Sequence, residues 1–164
     1  MKRALLVVDV QIGLVAKELY NKERFLSSIG DAIDAFRESG DLIVFIRHCG
    51  AIVKRGSPGW ELYPGLDPRS EDPVVDKEHG NAFAKTGLAR ILEEKGIRDF
   101  LVCGLVSHGC VRATCLGGAA LGLRVRLLKN GHSNWAKDAG KRIDGVEREL
   151  AAAGIETLRL SGDA

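Results

Sequence analysis

The 164-residue sequence contains no apolar run near the ~20 residues that a membrane-spanning helix needs, so we expect no membrane partner. Lysine and arginine (24 residues) nearly balance aspartate and glutamate (22 residues), and no basic cluster of the kind that follows a phosphate backbone is present. The sequence therefore argues against a nucleic-acid partner as well.

Two other classes of site lack their usual motifs. No GxGxxG or Walker pattern follows the first apolar run, which argues against a dinucleotide or P-loop site. The four cysteines form no CxxC pair, and no Asp-x-His-x-x-His spacing occurs, so we expect neither a metal nor a cofactor. Asp9 and Gln11 interrupt the N-terminal apolar stretch too early for a signal peptide. Reduced thiols in a cytoplasmic protein are the expectation that follows.

Short apolar runs alternate with segments of helical periodicity along the whole chain. The runs predict strands over residues 5–10, 42–46, 73–76, 100–106, 123–128 and 155–160. Helical spacing of apolar residues predicts helices over 25–36, 88–92, 111–121 and 143–150, and the glycine- and proline-rich residues 49–71 predict a long loop. This alternation predicts one α/β domain over residues 1–164. We expect it to be three-layered, doubly wound and Rossmann-like, with a mostly parallel six-stranded sheet and helices on both faces.

Cys110 occupies the place in such a fold where chemistry is expected. It lies in a polar turn between the strand that ends at Val106 and the next helix, at the end of the sheet where ligands bind in open parallel folds. A helix N-terminus favours the thiolate form and supplies backbone N–H donors for an oxyanion. Cys103 and Cys115 fall inside a strand and a helix, which is typical of core cysteines.

Asp9 lies at the end of the first predicted strand and Lys77 directly follows the third, so both are expected at the same end of the sheet. Taken alone, Asp9 is equally consistent with a loop cap, and Lys77 with a solvated surface residue. Together with Cys110 they suggest a reaction centre, because a carboxylate can accept the thiol proton and an ammonium stabilises both anions. His108 is too close to Cys110 along a tight turn to pair with it, so we expect it to line the pocket or its rim. His48 follows a strand and is a further candidate for the site.

Several motifs in order resemble the isochorismatase-like cysteine hydrolases, which include nicotinamidase and N-carbamoylsarcosine amidohydrolase. The matching segments are Val7-Val8-Asp9-Val10-Gln11, residues 56–62, Asp76-Lys77, Asn81-Ala82-Phe83, Thr86-Gly87-Leu88 and residues 104–114. The resemblance implies an Asp–Lys–Cys triad of Asp9, Lys77 and Cys110. It also implies a cis peptide between Leu105 and Val106, and an oxyanion hole formed by the backbone amides of Val106 and Cys110.

The resemblance implies hydrolysis of a small amide or related C–N bond through a thioester, with departures that leave the substrate open. The chain lacks the histidine-rich metal motif of nicotinamidases, which disfavours nicotinamide. Val106-Ser107-His108-Gly109 replaces the usual threonines before the cysteine, and Lys129-Asn130-Gly131 stands where many relatives carry an acidic residue. The isochorismatase subgroup that cleaves a vinyl ether lacks the cysteine, so Cys110 favours C–N hydrolysis.

The walls of the pocket are harder to assign. Gln11, Trp60, Phe83 and His108 are candidates, although packing explains Gln11 and Phe83, and loop anchoring explains Trp60 equally well. We expect residues 49–71 to cover the pocket, either alone or together with a neighbouring subunit. We also expect the protein to be a homo-oligomer, a dimer or a tetramer. Two other functions stay open: a non-catalytic protein that binds a small ligand or a partner, and a thiol redox protein using Cys110 and Cys115.

Overall fold

The structure, a computed structural model, describes residues 2–160. Met1 and residues 161–164, which the one-domain assignment of 1–164 includes, lie outside the described residues. The strands are β1 (Ala4–Val8), β2 (Leu42–His48), β3 (Val74–Lys77), β4 (Asp99–Leu105), β5 (Arg124–Ser133) and β6 (Thr157–Leu158). The helices are α1 (Ile12–Val15), α2 (Lys22–Glu38), α3 (Leu88–Glu94), α4 (Arg112–Ala120) and α5 (Ala139–Ala152). No helix within residues 2–160 is both long and apolar enough to cross a bilayer.

The six strands form one sheet in the order β3-β2-β1-β4-β5-β6, and each strand pairing in it is parallel. This is the doubly wound order in which the chain reverses direction across the sheet between β1 and β4. Ligands bind beyond the carboxyl ends of the strands at such a reversal, because the loops that follow the two strands diverge there. The topology therefore places the ends of β1 and β4 at the expected ligand site.

Alternate residues of each central strand pack on opposite faces of the sheet. Leu5 and Val7 of β1 join the core beneath α1 and α2, whereas Leu6 and Val8 join the core beneath α3, α4 and α5. All four side chains are almost completely buried, which explains why the strand is apolar at successive positions rather than at every second one. The three-layer α/β fold predicted from the sequence is confirmed.

The boundaries of several elements differ from the prediction. β6 comprises two residues where the pattern predicted six, and β5 extends five residues beyond Leu128 to Ser133. The predicted helix over 111–121 begins with a wide helical turn, Ser107–Val111, that is kinked at Gly109. Residues 49–71 form a loop, as predicted, with short 3₁₀ turns at Pro58–Trp60 and Pro64–Leu66. The four residues of α1 were not predicted, because a single helical turn is too short to show a periodicity.

Candidate active site

Three strand ends bring Asp9, Lys77 and Cys110 together. Asp9 directly follows β1, Lys77 is the last residue of β3, and Cys110 lies in the turn that follows β4. The backbone of Asp9 adopts a left-handed conformation (φ 57°), and its amide donates a hydrogen bond to the Ile46 carbonyl of the adjacent strand. Parallel packing thus gathers residues that are far apart in the sequence at one edge of the sheet.

The ammonium group of Lys77 lies at the centre of this cluster. Its Nζ is 3.1 Å from Asp9 Oδ2, 3.1 Å from Cys110 Sγ and 2.8 Å from His48 Nδ1. The side chains of Lys77 and Asp9 are 0% and 3% exposed. An ammonium has three donor hydrogens, so these three acceptors account for all of its hydrogen-bonding capacity.

His48 completes the surroundings of Lys77. It is the last residue of β2 and the register partner of Lys77 on β3, so the sheet itself holds the two side chains side by side. Burial and the neighbouring Lys77 ammonium both lower the pKa of His48. The imidazole is therefore neutral at pH 7, with Nδ1 as the acceptor. The sequence suggested His48 only as a residue near the site. Its contact with Lys77 follows from strand register, which the sequence does not show.

Burial raises the pKa of both acidic groups at the centre. For Asp9, burial outweighs the opposing Lys77 charge. For Cys110, burial and the Asp9 carboxylate raise the pKa to about 11 against the lowering effect of Lys77. The expectation that the helix N-terminus makes Cys110 a thiolate is therefore wrong for the resting protein, because the thiol is largely removed from water next to a carboxylate. At neutral pH the sulfur carries the proton, and a base must remove it.

Asp9 is placed to be that base. Among the described residues, Asp9 Oδ1 is buried without a hydrogen-bond partner, whereas Oδ2 accepts from Lys77. A carboxylate oxygen of Asp9, a ring nitrogen of His48 and the sulfur of Cys110 all lie within 4.8 Å of one another. The Asp9 carboxylate thus has one unpaired oxygen and lies within 4.8 Å of the thiol sulfur.

The same three groups could in principle hold a metal ion, since each supplies one ligand atom. Lys77 Nζ, however, already contacts all three of them at 2.8 to 3.1 Å. An ion bound there would have to displace a cation that the chain itself supplies. The geometry therefore favours proton transfer over metal binding.

The turn that carries Cys110 is held by a hydrogen-bonded chain behind it. The Leu105–Val106 peptide bond is cis. Ser107 Oγ lies 2.9 Å from His132 Nδ1, and His132 Nε2 lies 3.1 Å from Glu147 Oε1. Lys129 Nζ donates to Glu147 Oε2 at 2.7 Å. The order Ser–His–Glu matches that of a serine hydrolase, but Ser107 is 0% exposed and cannot reach a substrate. This series of hydrogen bonds therefore supports the turn. The sequence did not predict it.

A cavity of about 310 Å³ opens beside Asp9, His48 and Cys110. The rest of its wall is apolar and includes Leu14, Ala51, Ile52, Val53, Val106 and Trp135. Sequence reasoning missed Ile52 and Trp135. Both follow strand ends on the ligand side of the sheet, so the rule that located Cys110 would also have located them.

The four predicted wall residues lie elsewhere. Gln11 is fully buried, and its amide bonds the backbone of His48 and Trp60, so it anchors the loop. Trp60 stacks under the Arg47 guanidinium at 3.7 Å and donates from Nε1 to Cys49 Sγ. Phe83 packs against Phe100 in the core, with ring centres 5.8 Å apart. His108 is exposed and does not line the cavity. Gln11 and Trp60 thus contribute to loop anchoring and Phe83 to packing, which the sequence analysis left as the alternatives for these three residues.

Comparison with known proteins agrees with the fold and with the order of the motifs. The family model described as the isochorismatase domain matches residues 3–143. Two streptothricin hydrolases of Streptomyces noursei are 35% and 33% identical over 160 residues, and the matches cover 94% of this chain. The chain spans 58% and 64% of the length of these relatives. The isochorismatase family protein YddQ of Bacillus subtilis is 30% identical, over 70% of this chain and 68% of that protein.

Solved structures show the same architecture. The crystal structure of an isochorismatase family protein is 26% identical, with a TM-score of 0.89 over 95% of this chain and 97% of that one. Pyrazinamidase of Pyrococcus horikoshii in complex with zinc shares the fold at 24% identity, with a TM-score of 0.83 over 98% of this chain and 100% of that one. Fold, motif order and family match agree: the chain belongs to the isochorismatase family.

Proposed function

We propose that the chain is a cysteine hydrolase that cleaves a small amide or related C–N bond through a thioester. The observation that carries this proposal is the position of Lys77 Nζ, 3.1 Å from both Asp9 and Cys110 at the edge of an open cavity. A binding protein needs no acid, base and thiol in mutual contact. The names of the streptothricin hydrolases, with which the chain shares about a third of its residues, support hydrolysis.

In the acylation half, Asp9 takes the proton of Cys110 as the sulfur attacks the carbonyl carbon of the substrate. A C–S bond forms, and the carbonyl π electrons move to oxygen. We assign the stabilisation of that oxyanion to the backbone amides of Val106 and Cys110, a type of interaction worth ~3 kcal/mol per donor. Asp9 then donates its proton to the leaving nitrogen, the C–N bond breaks, and the amine departs from a thioester.

In the deacylation half, Asp9 removes a proton from water, whose oxygen attacks the thioester carbonyl. The C–S bond breaks, the carboxylic acid forms, and the proton on Asp9 returns to the sulfur. The net reaction is amide plus water giving acid plus amine. Lys77 remains an ammonium throughout and stabilises whichever of its two neighbours is the anion.

The test measures ammonia release from a panel of carbamoyl, aryl and aliphatic amides. We expect Cys110→Ala to lose at least ~1,000-fold in kcat/KM, the order of effect seen when a nucleophile is removed. Because a thiol sulfur is a weak hydrogen-bond acceptor, its loss beside Lys77 should lower the free energy of unfolding by less than ~1 kcal/mol. Cys49→Ser is the matched control, because Cys49 is also half-buried and serine keeps an acceptor for Trp60.

Wild-type turnover by Cys110→Ala on the same amide would overturn the assignment of the nucleophile. A wild-type protein that binds amides from the panel without hydrolysing any of them would favour the non-catalytic alternative.

A further inference from the structure

The wall of the cavity beside Cys110 divides into a reacting end and an apolar remainder. The ionisable residues that line it are Asp9, His48 and Cys110, all members of the cluster around Lys77. The other lining residues carry alkyl or aryl side chains, and Leu14 and Val53 among them are almost fully buried. Every ionisable group in the wall therefore already contacts Lys77.

From this division we infer the substrate class: the acyl group bound beside Cys110 is small, uncharged and apolar. The inference rests on the proposed function. A charged acyl substituent would lose its hydration in this cavity without gaining an ion-pair partner. The free-energy cost of that loss is far larger than the free-energy change when an alkyl group is buried in the same place. An alkyl or aryl group of the same shape would instead bury apolar surface against Val53, Ile52 and Trp135.

The rim of the cavity is apolar as well. Ile52 is 64% exposed and Trp135 is 37% exposed, although both side chains are large and apolar. Exposed apolar side chains grouped at a cavity mouth are typical of a ligand-binding surface. The cavity volume of about 310 Å³ lies at the lower end of the ~300–1,000 Å³ range of ligand sites, which favours one ring or a short branched chain.

A cation lies near this rim, and the test must include its effect. Lys17 Nζ is 5.8 Å from the centre of the Trp135 ring. It would favour an anionic acyl group if that group extended beyond the rim. An anionic amide therefore belongs in the comparison beside a cationic one.

The experiment compares amides of the same shape that differ in charge. Malonamate carries a carboxylate where isovaleramide carries an isopropyl group, and β-alaninamide carries an ammonium where butyramide carries a methyl group. We expect kcat/KM for each apolar amide to exceed that of its charged partner by about 100-fold. Equal values, or a preference for either charged amide, would overturn the inference while leaving amide hydrolysis intact.

A rim variant tests whether this wall sets the preference. Ile52→Asp should raise the kcat/KM ratio of β-alaninamide to butyramide about tenfold, because it adds a carboxylate beside the acyl group. Leu121→Asp is the control: Leu121 is also apolar and exposed, at 53%, but it follows the far end of α4. For each variant, the two kcat/KM values that form the ratio are measured on the same protein sample, so a change in the folded fraction cancels. An unchanged ratio in Ile52→Asp would contradict the inference.

A binding measurement separates this inference from the proposed function. Calorimetric titration of Cys110→Ala with isovaleramide and malonamate reports affinity without turnover. Tighter binding of isovaleramide supports the apolar class even if the wild type hydrolyses neither amide, and in that event the proposed function fails alone. Preferential binding of malonamate, or no binding of either amide, overturns the apolar class.

Discussion

At the scale of single residues, the central feature is a buried lysine whose hydrogen-bonding capacity is fully used. Removing an ammonium from water costs several kcal/mol unless it is paired and hydrogen-bonded. Lys77 meets that condition with one anionic partner, Asp9, and two neutral ones, His48 and the protonated Cys110. Its position is thus set from three directions, and the loss of any one acceptor frees it to move.

We expect His48→Leu to lower kcat about 10- to 100-fold, since a hydrogen bond to a charged group is worth about 1.5–3 kcal/mol. KM should change little, because His48 acts here by positioning Lys77. His48→Asn should recover much of the loss, since the asparagine amide oxygen can take the place of Nδ1. Steady-state kinetics of the three proteins make the comparison. Equal kcat in wild type and His48→Leu would remove this role from His48.

The protonation states predict the pH profile of kcat/KM. Asp9 acts as a base only when ionised, and burial raises its pKa above 3.8, so the acid limb should lie above the ordinary carboxyl range. Cys110 supplies the proton that reaches the leaving amine, so activity should fall again as pH rises through about 11. Initial rates measured from pH 4 to 11.5 test both limbs. An alkaline limb at the ordinary thiol pKa, ~8.5, would contradict this account.

At the scale of elements, β4 and the turn after it position Cys110. Gly104 in β4 has φ +122°, and a Cβ there would overlap the backbone of Val8 in β1. Behind the turn, Ser107 bonds His132 of β5, which in turn bonds Glu147 of α5. The position of Cys110 therefore depends on a close approach of two strands and on a link to a distant helix.

Gly104→Ala should lower the free energy of unfolding by more than ~3 kcal/mol, because it combines an unfavourable φ with overlap of the β1 backbone. Gly30→Ala in α2 is the control, since a Cβ there meets no atom within 4 Å and alanine favours a helix by ~0.5–1 kcal/mol. Urea denaturation of both variants gives the difference. Similar stabilities in the two variants would show that the close approach of β1 and β4 is not needed.

The sequence predicted the elements better than it predicted the pocket. Strands buried on both faces, such as β1 and β4, are recognisable because residues 4–8 and 100–105 form uninterrupted runs without a polar side chain. The ends of β1, β3 and β4 located Asp9, Lys77 and Cys110. Gln11 and Trp60 do not line the cavity, because their side chains turn to backbone and loop partners that only the folded chain brings near. His132 could not be assigned for the same reason, since Ser107 and Glu147 are its partners only through strand and helix packing.

At the scale of the whole molecule, the family match extends over most of the chain, while part of the cavity wall comes from loops. The family match covers residues 3–143, which include every residue of the reaction centre. The lining residues Ala51, Ile52 and Trp135 lie in loops after β2 and β5. Under the proposed function, the strand ends supply the reacting groups and these loops select the amide.

We propose that the protein is a homo-oligomer, a dimer or a tetramer. Large apolar side chains such as Ile12 and Val74 are 39% and 41% exposed in the single chain, and association would cover such surface. Size-exclusion chromatography with light scattering should give a mass of two or four times 17.7 kDa. A mass of one chain across a hundredfold range of concentration would contradict the proposal.

The central claim is that Cys110 forms a covalent bond to the acyl group of the substrate. The most direct measurement is acid quenching during the first turnovers of the best amide in the panel, followed by peptide mapping by mass spectrometry. We predict that the peptide containing Cys110 gains the mass of the acyl group, while those containing Cys49, Cys103 and Cys115 do not. An initial burst of ammonia with the acyl group on any other residue would contradict the account.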